Sequence, residues 1–263
     1  MTRPRWPGAC RASGRDRAGA SCGTVRTALA AVTTCLLLGL WCGAALAHDA
    51  IGSEARKAYL ARLDAAQRSA SSTAATATPA VRAAALFQLG STLDELRELL
   101  NQDIASHGKT QGLETLLLVA ELNAMPTRLV LSPKTRQYAA NLKPYRDALA
   151  LDANSAFANR ARLQILKGQF YDSFSNDPLQ PHSQTRDELL EMIDLGEHLH
   201  RLRDPNLDTE EIGFILAMHY LQALRNGEPA VPRARERVAQ LLREHRAAYP
   251  QSLKLATLEA LAP

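Results

Sequence analysis

Residues 145–174 read YRDALALDANSAFANRARLQILKGQFYDSF. Two helix-forming runs lie either side of a short polar turn. Pro144 restarts the chain ahead of the first, because its fixed φ suits a first helical turn. The first run, YRDALAL, is rich in alanine and leucine, both strong helix formers. The second is expected from Asn154 to Lys167, with Gly168 as its stop and a loop rich in Asp, Asn and Pro over 171–182.

The same pattern extends in both directions. Residues 54–68, EARKAYLARLDAAQR, contain no Gly or Pro and place Tyr59, Leu60 and Leu63 on one side at helical spacing. A small, polar stretch over 69–79 reads as a linker. Beyond it, Leu86, Leu89, Leu93, Leu96 and Leu100 recur at steps of three and four, which lines one helical face, and Gly108 stands where a helix would end. Further helices are expected over 112–124, over 132–142 with Ser132 as cap and Pro133 in the first turn, and over 184–203. Asp208 with Glu211 makes a variant capping box for 209–226, which Asn226-Gly227 ends. Helices over 232–249 and 251–261 complete the chain. No stretch alternates with a period of two and β-branched enrichment, so no strand is expected. The fold class is all-α: antiparallel helical hairpins, either a solenoid or an irregular bundle.

Charge and cysteine divide the chain near residue 47. The full sequence has 31 Lys and Arg against 27 Asp and Glu. Residues 1–47 contain six arginines and the single acid Asp16, which leaves 25 basic and 26 acidic residues after them. The body is thus near neutral and lacks the concentrated positive face that phosphate binding requires, so no nucleic-acid partner is expected. All four cysteines, Cys10, Cys22, Cys35 and Cys42, fall in the same leader. Within it, TALAAVTTCLLLGLWCGAALA follows Arg26 as an apolar run ending in Ala45-Leu46-Ala47. Basic start, apolar core and A-x-A end are the parts of a secretory signal peptide. Cleavage is expected between Ala47 and His48, which delivers a cysteine-free chain to an exported compartment, the periplasm in a Gram-negative cell. A retained leader would be the chain's contact with the membrane. The organisation expected is therefore a signal peptide over 1–47, an N-terminal helix and linker over 48–79, and a helical domain over 80–263.

Residues 145–174 resemble the tetratricopeptide repeat. Tyr145, Ala148, Leu149, Leu151, Asp152 and Asn154 look like the end of one repeat and its turn. Ala156, Ala158, Leu163, Gly168 and Phe170 look like the next repeat's first helix with a G-x-aromatic turn. Residues 245–262 resemble the same junction, with Tyr249-Pro250 at the turn, and 84–96 carry a similar Leu-Gly pair. The resemblance implies stacked helix pairs whose alanines allow close approach, with a concave surface left for a partner. It implies a scaffold or adaptor that binds a protein or peptide in the cell envelope.

Several residues invite chemistry. A chain beginning at His48 presents an α-amine and an imidazole together, a nitrogen pair suited to copper(II). It resembles secreted copper proteins at that residue, and copper is the alternative cofactor reading. In EHLH (197–200), His198 and His200 point to nearly opposite sides of a helix, whereas Glu197 and His200 share a face with the Glu-x-x-His spacing of di-iron bundles. No second copy occurs, so a solvated face is expected. His245 lies on an apolar stripe with Val238, Leu241, Leu242 and Tyr249, and His219 lies among Ile212, Ile215 and Leu216. Both are expected to be core histidines hydrogen-bonded to a neighbour. Phe170, Tyr171 and Phe174 form an aromatic cluster that reads either as a packed turn or as a loop contacting a partner. Residues 48–263 lack G-x-S-x-G, H-E-x-x-H, G-x-G-x-x-G, a Walker loop and C-x-x-C-H, which leaves enzymatic activity as the third reading.

Overall fold

A computed structural model describes residues 51–72, 77–107, 113–125, 129–131, 137–173 and 184–262. Residues 50–263 form one compact unit. Among the described residues there are nine helices: α1 (Ser53–Ser72), α2 (Pro79–His107), α3 (Leu113–Ala124), α4 (Lys143–Leu151), α5 (Ala158–Ser173), α6 (Arg186–Leu202), α7 (Thr209–Arg225), α8 (Ala234–Ala248) and α9 (Leu253–Leu261). Strands are absent from these residues, apart from an isolated antiparallel bridge between Leu131 and Tyr138. The all-α reading holds.

Most neighbours in sequence pack as neighbours in space, whereas α3 packs on α1. Helix α1 packs on α2, α2 on α4, and from α4 onward each helix packs on the next. Contacts also join α5 to α7 and α7 to α9, so alternate helices meet along one side. Two apolar clusters result. One joins α1, α2 and α3 through Leu63, Leu93, Leu96, Leu100 and Leu118. The other runs from Tyr145 through α5–α8 to Leu258. Helix α1 shares its core with α2, so it belongs with the helical body.

Helix α7 is the centre of the larger cluster. Residues 211–223 are all buried, including Glu211, His219 and Gln222. A helix that is apolar nearly all round is stable only when neighbours cover every side, and α5, α6, α8 and α9 do so here. Its start is set by Asp208, whose side chain accepts from the Glu211 backbone N–H at 3.0 Å. The reciprocal half of the expected capping box does not form, because the Glu211 carboxylate is held instead by Tyr171 and Lys254. Gly227, with φ 62°, turns the chain out after the helix end, as the Asn-Gly pair predicts. A complete capping box opens α6 at Thr185 and Glu188.

The expected helix over 132–142 is overturned in its described part, residues 137–142. Asn101 on α2 brackets the peptide of Tyr138, accepting from its N–H at 2.7 Å and donating to its carbonyl at 3.1 Å. The Ala139 N–H donates to the Val130 carbonyl, and the Ala140 N–H to Asp172 on α5. These distant partners take the amides a helix would have used. Gly168 likewise does not stop α5, which continues to Ser173. A Cβ there would lie 2.6 Å from Leu142 Cδ2 and 2.9 Å from the Ala140 Cβ. Glycine stands at Gly168 because the 140–142 segment crosses the helix at that point. Ser132 and Pro133 lie outside the described residues.

Candidate functional site

A cleft of about 640 Å3 opens where three helix ends meet. The last turn of α6 contributes Leu199 and His200, and the following turn Arg203 and Pro205. The first turns of α7 contribute Thr209, Ile212 and Gly213. The last turns of α8 contribute Leu241, Glu244, His245, Ala247 and Ala248, and its C-cap contributes Tyr249. The volume lies within the range of small-ligand and side-chain pockets, and the walls are mainly aliphatic.

Most of its polar groups are individually tied, and three lining residues stand out as exceptions to ordinary packing. His200 Nε2 lies 2.8 Å from Glu244 Oε2. Burial opposes ionisation of Glu244, but hydrogen bonds from Gln240 and His200 outweigh it and hold the carboxyl below its usual range. Thr209 Oγ1 and the Tyr249 hydroxyl share a hydrogen bond of 2.6 Å.

The first exception is His245. It is 4% exposed, and its Nε2 has no hydrogen-bond partner. The nearest carboxylate oxygen, Glu210 Oε1, stands 3.8 Å away and accepts instead from the Ser252 hydroxyl. Burial pushes the imidazole below its usual pKa, against the pull of Glu210. A buried polar atom without a partner is uncommon and calls for a reason.

The second exception is Gly213. The helical glycines Gly90, Gly168 and Gly196 each have a neighbour within 3.0 Å of where a Cβ would stand. They permit close helix approach. At Gly213, among the described residues outside the helix's own backbone and the two adjoining residues, the only atom within 4 Å of that position is His245 Nδ1, at 3.9 Å. Glycine within a helix costs about 0.5–1 kcal/mol relative to alanine. Packing does not require that cost at Gly213, and the space it leaves faces the cleft histidine.

The third is Arg203. It caps α6 in the left-handed conformation with φ 48°, the one non-glycine residue with positive φ among those described. Such a conformation costs about 1–2 kcal/mol for a side-chain-bearing residue. Its guanidinium forms no ion pair with the described residues. Strain of this kind gathers at functional sites.

The residues singled out from sequence have separate fates. Glu197 accepts from Arg237 at 2.6 and 3.0 Å and from the Tyr220 hydroxyl at 2.9 Å. With His200–Glu244, it forms a part-buried polar ladder between α6 and α8 where a solvated face was expected. His198 points elsewhere and is lowered in pKa by burial, with Arg162 and Arg201 adding to the effect. His219 is fully buried as expected, but neither ring nitrogen is hydrogen-bonded, and burial pushes its pKa down to about 4. Phe170 is a core residue, edge-on to Phe214 and His219 at 5.9 and 5.6 Å. Tyr171 keeps an exposed ring edge, but its hydroxyl donates to Glu211. The packed alternative therefore describes Phe170, and Tyr171 is anchored rather than free. Phe174 and His48 lie outside the described residues. Among the described residues, no three His, Cys, Asp or Glu side chains are grouped to hold a metal ion.

Sequence reasoning missed Arg203, Thr209, Gly213 and Glu244. A glycine interrupting the otherwise apolar run 212–218 was the one local signal available. Comparison with family models, with curated proteins and with solved structures found no match to the chain.

Proposed function

We propose that this is an exported scaffold protein of stacked helical hairpins that binds a protein or peptide segment, and that the α6–α8 cleft is the binding site. One observation carries the reading: a buried histidine whose Nε2 makes no hydrogen bond, a glycine that helix packing does not need and a strained arginine all line the same cleft. Each is a local cost to the fold. Their convergence is what a site kept for a ligand requires.

The packing order supports the hairpin part of the reading. Contacts α5 to α7 and α7 to α9, together with those between successive helices, are the pattern expected of hairpins stacked in register. Burial of α7 all round leaves no groove along that helix, so recognition falls to the helix ends.

The test is a peptide-display selection on the chain from His48 to Pro263, read by hydrogen exchange. Selected peptides should protect amides in 209–216 and 241–249, and Gly213→Leu should abolish binding with folding retained. Binders that protect other regions only, or an empty selection, would remove the reading. N-terminal sequencing of the exported protein checks the start at His48.

A further inference from the structure

We infer that the cleft takes a donor-bearing aromatic ring, and that the occupant is the indole of a tryptophan on the bound segment. This rests on the peptide-binding reading above.

His245 sets the hydrogen-bonding requirement of the cleft. A carboxylate accepts hydrogen bonds and does not donate them. Glu210 Oε1, 3.8 Å from Nε2, therefore favours the tautomer with the ring proton on Nε2. Nδ1 is then left as an acceptor. It borders the space over Gly213, where no other atom of the described residues outside α7's own backbone and the adjoining residues stands within 4 Å of the missing Cβ. The charged and titratable groups around the ring are Glu210 on α7, Tyr249 at the C-cap of α8 and Lys254 on α9.

A ligand for this site must be largely apolar, because Leu199, Ile212 and Leu241 line it. It must bring a donor, because the group it meets is an acceptor. Arg203, whose guanidinium forms no ion pair with the described residues, rewards a π face, since guanidinium stacks on aromatic rings. An aliphatic side chain meets the first condition alone, and a lysine or serine fails it. Indole meets all three, with a donor-only N–H, a broad apolar body and a negative ring face. Tryptophan is also a residue type that anchors peptide and protein interfaces.

The experiment titrates the chain from His48 to Pro263 with a labelled, N-acetylated hexapeptide carrying one central tryptophan. The comparison peptides replace it with 1-methyltryptophan, phenylalanine or leucine. Free indole and 1-methylindole are run as separate arms. We expect the methylated and phenylalanine peptides to bind about tenfold more weakly, as loss of one buried hydrogen bond to a neutral partner gives. Gly213→Leu should remove binding. His245→Phe should equalise the tryptophan and methyltryptophan peptides, and hydrogen exchange should show each variant folded.

Equal affinity for tryptophan, methyltryptophan and phenylalanine peptides, all lost in Gly213→Leu, overturns the donor inference and leaves the peptide site standing. Indole binding as tightly as the hexapeptide overturns the peptide occupant in favour of a free aromatic molecule. Absence of binding by every probe overturns the aromatic inference, and the display selection then decides the site separately.

Discussion

His245 Nδ1 stands 3.9 Å from the point where Gly213 would carry a Cβ, with no other atom of the described residues outside α7's own backbone and the adjoining residues within 4 Å. At Gly90 the same construction meets the Tyr145 ring at 2.8 Å. These two glycines should therefore respond oppositely to alanine. Gly213→Ala should stabilise the protein by up to about 1 kcal/mol, the helix-propensity gain. Gly90→Ala should destabilise it by about 1–3 kcal/mol, because Tyr145 is fully buried and its hydroxyl is fixed on Asp94 at 2.6 Å. Paired urea melts measure both. A destabilising Gly213→Ala would show that the cleft is already filled by packing.

His219 should make the fold sensitive to mild acid. Its folded pKa is about 4, against an ordinary value of 6.5. The unfolded chain therefore binds the proton more readily, and stability is lost as pH falls from about 6.5 towards 4. The loss amounts to about 3 kcal/mol over that window. His245, also lowered by burial, acts in the same direction. His219→Leu should remove most of this dependence and be more stable at pH 5, because no hydrogen bond is given up. Denaturant melts at pH 7.5 and pH 5 check the sign.

Glu211 is buried between the Tyr171 hydroxyl and the Lys254 ammonium. Lys254→Met should cost about 3 kcal/mol, because it strands a buried carboxylate. Tyr171→Phe should cost about 1–2 kcal/mol, since it removes one hydrogen bond and leaves the charge paired. Adding Glu211→Gln to Lys254→Met should recover stability. A double variant no better than the single would show that the charge pair is not what Lys254 contributes.

Asn101 holds the 137–140 segment away from a helix. Asn101→Leu should cost about 2 kcal/mol through two lost hydrogen bonds to the Tyr138 peptide. Amide exchange should quicken at Tyr138 and Ala139 first, with α7 little changed. Uniform quickening would place the effect in the core instead.

The helices were legible wherever apolar spacing and a local terminus agreed, as for α1, α2, α6 and α7. The 132–142 reading failed although Ser132-Pro133 was a sound local start, because Asn101 and Asp172 claim the amides from far away in sequence. Gly168 was legible as special but not as a crossing point, since a glycine looks alike at a helix end and beneath a neighbouring chain. At the site, His245 was legible as an apolar-face histidine. Its missing partner was not, because a hydrogen bond depends on what the fold brings opposite.

The sequence by itself determined the helical class, the shift in charge and cysteine content near residue 47 and the apolar faces. These follow from periodicity, composition and chain-local chemistry. Tertiary structure alone decided that α7 is central, that Gly213 is open while Gly90 is closed, and that Arg203, Gly213 and His245 share one cleft. Such juxtapositions join residues tens of positions apart, and no local preference of the chain encodes the distance between them.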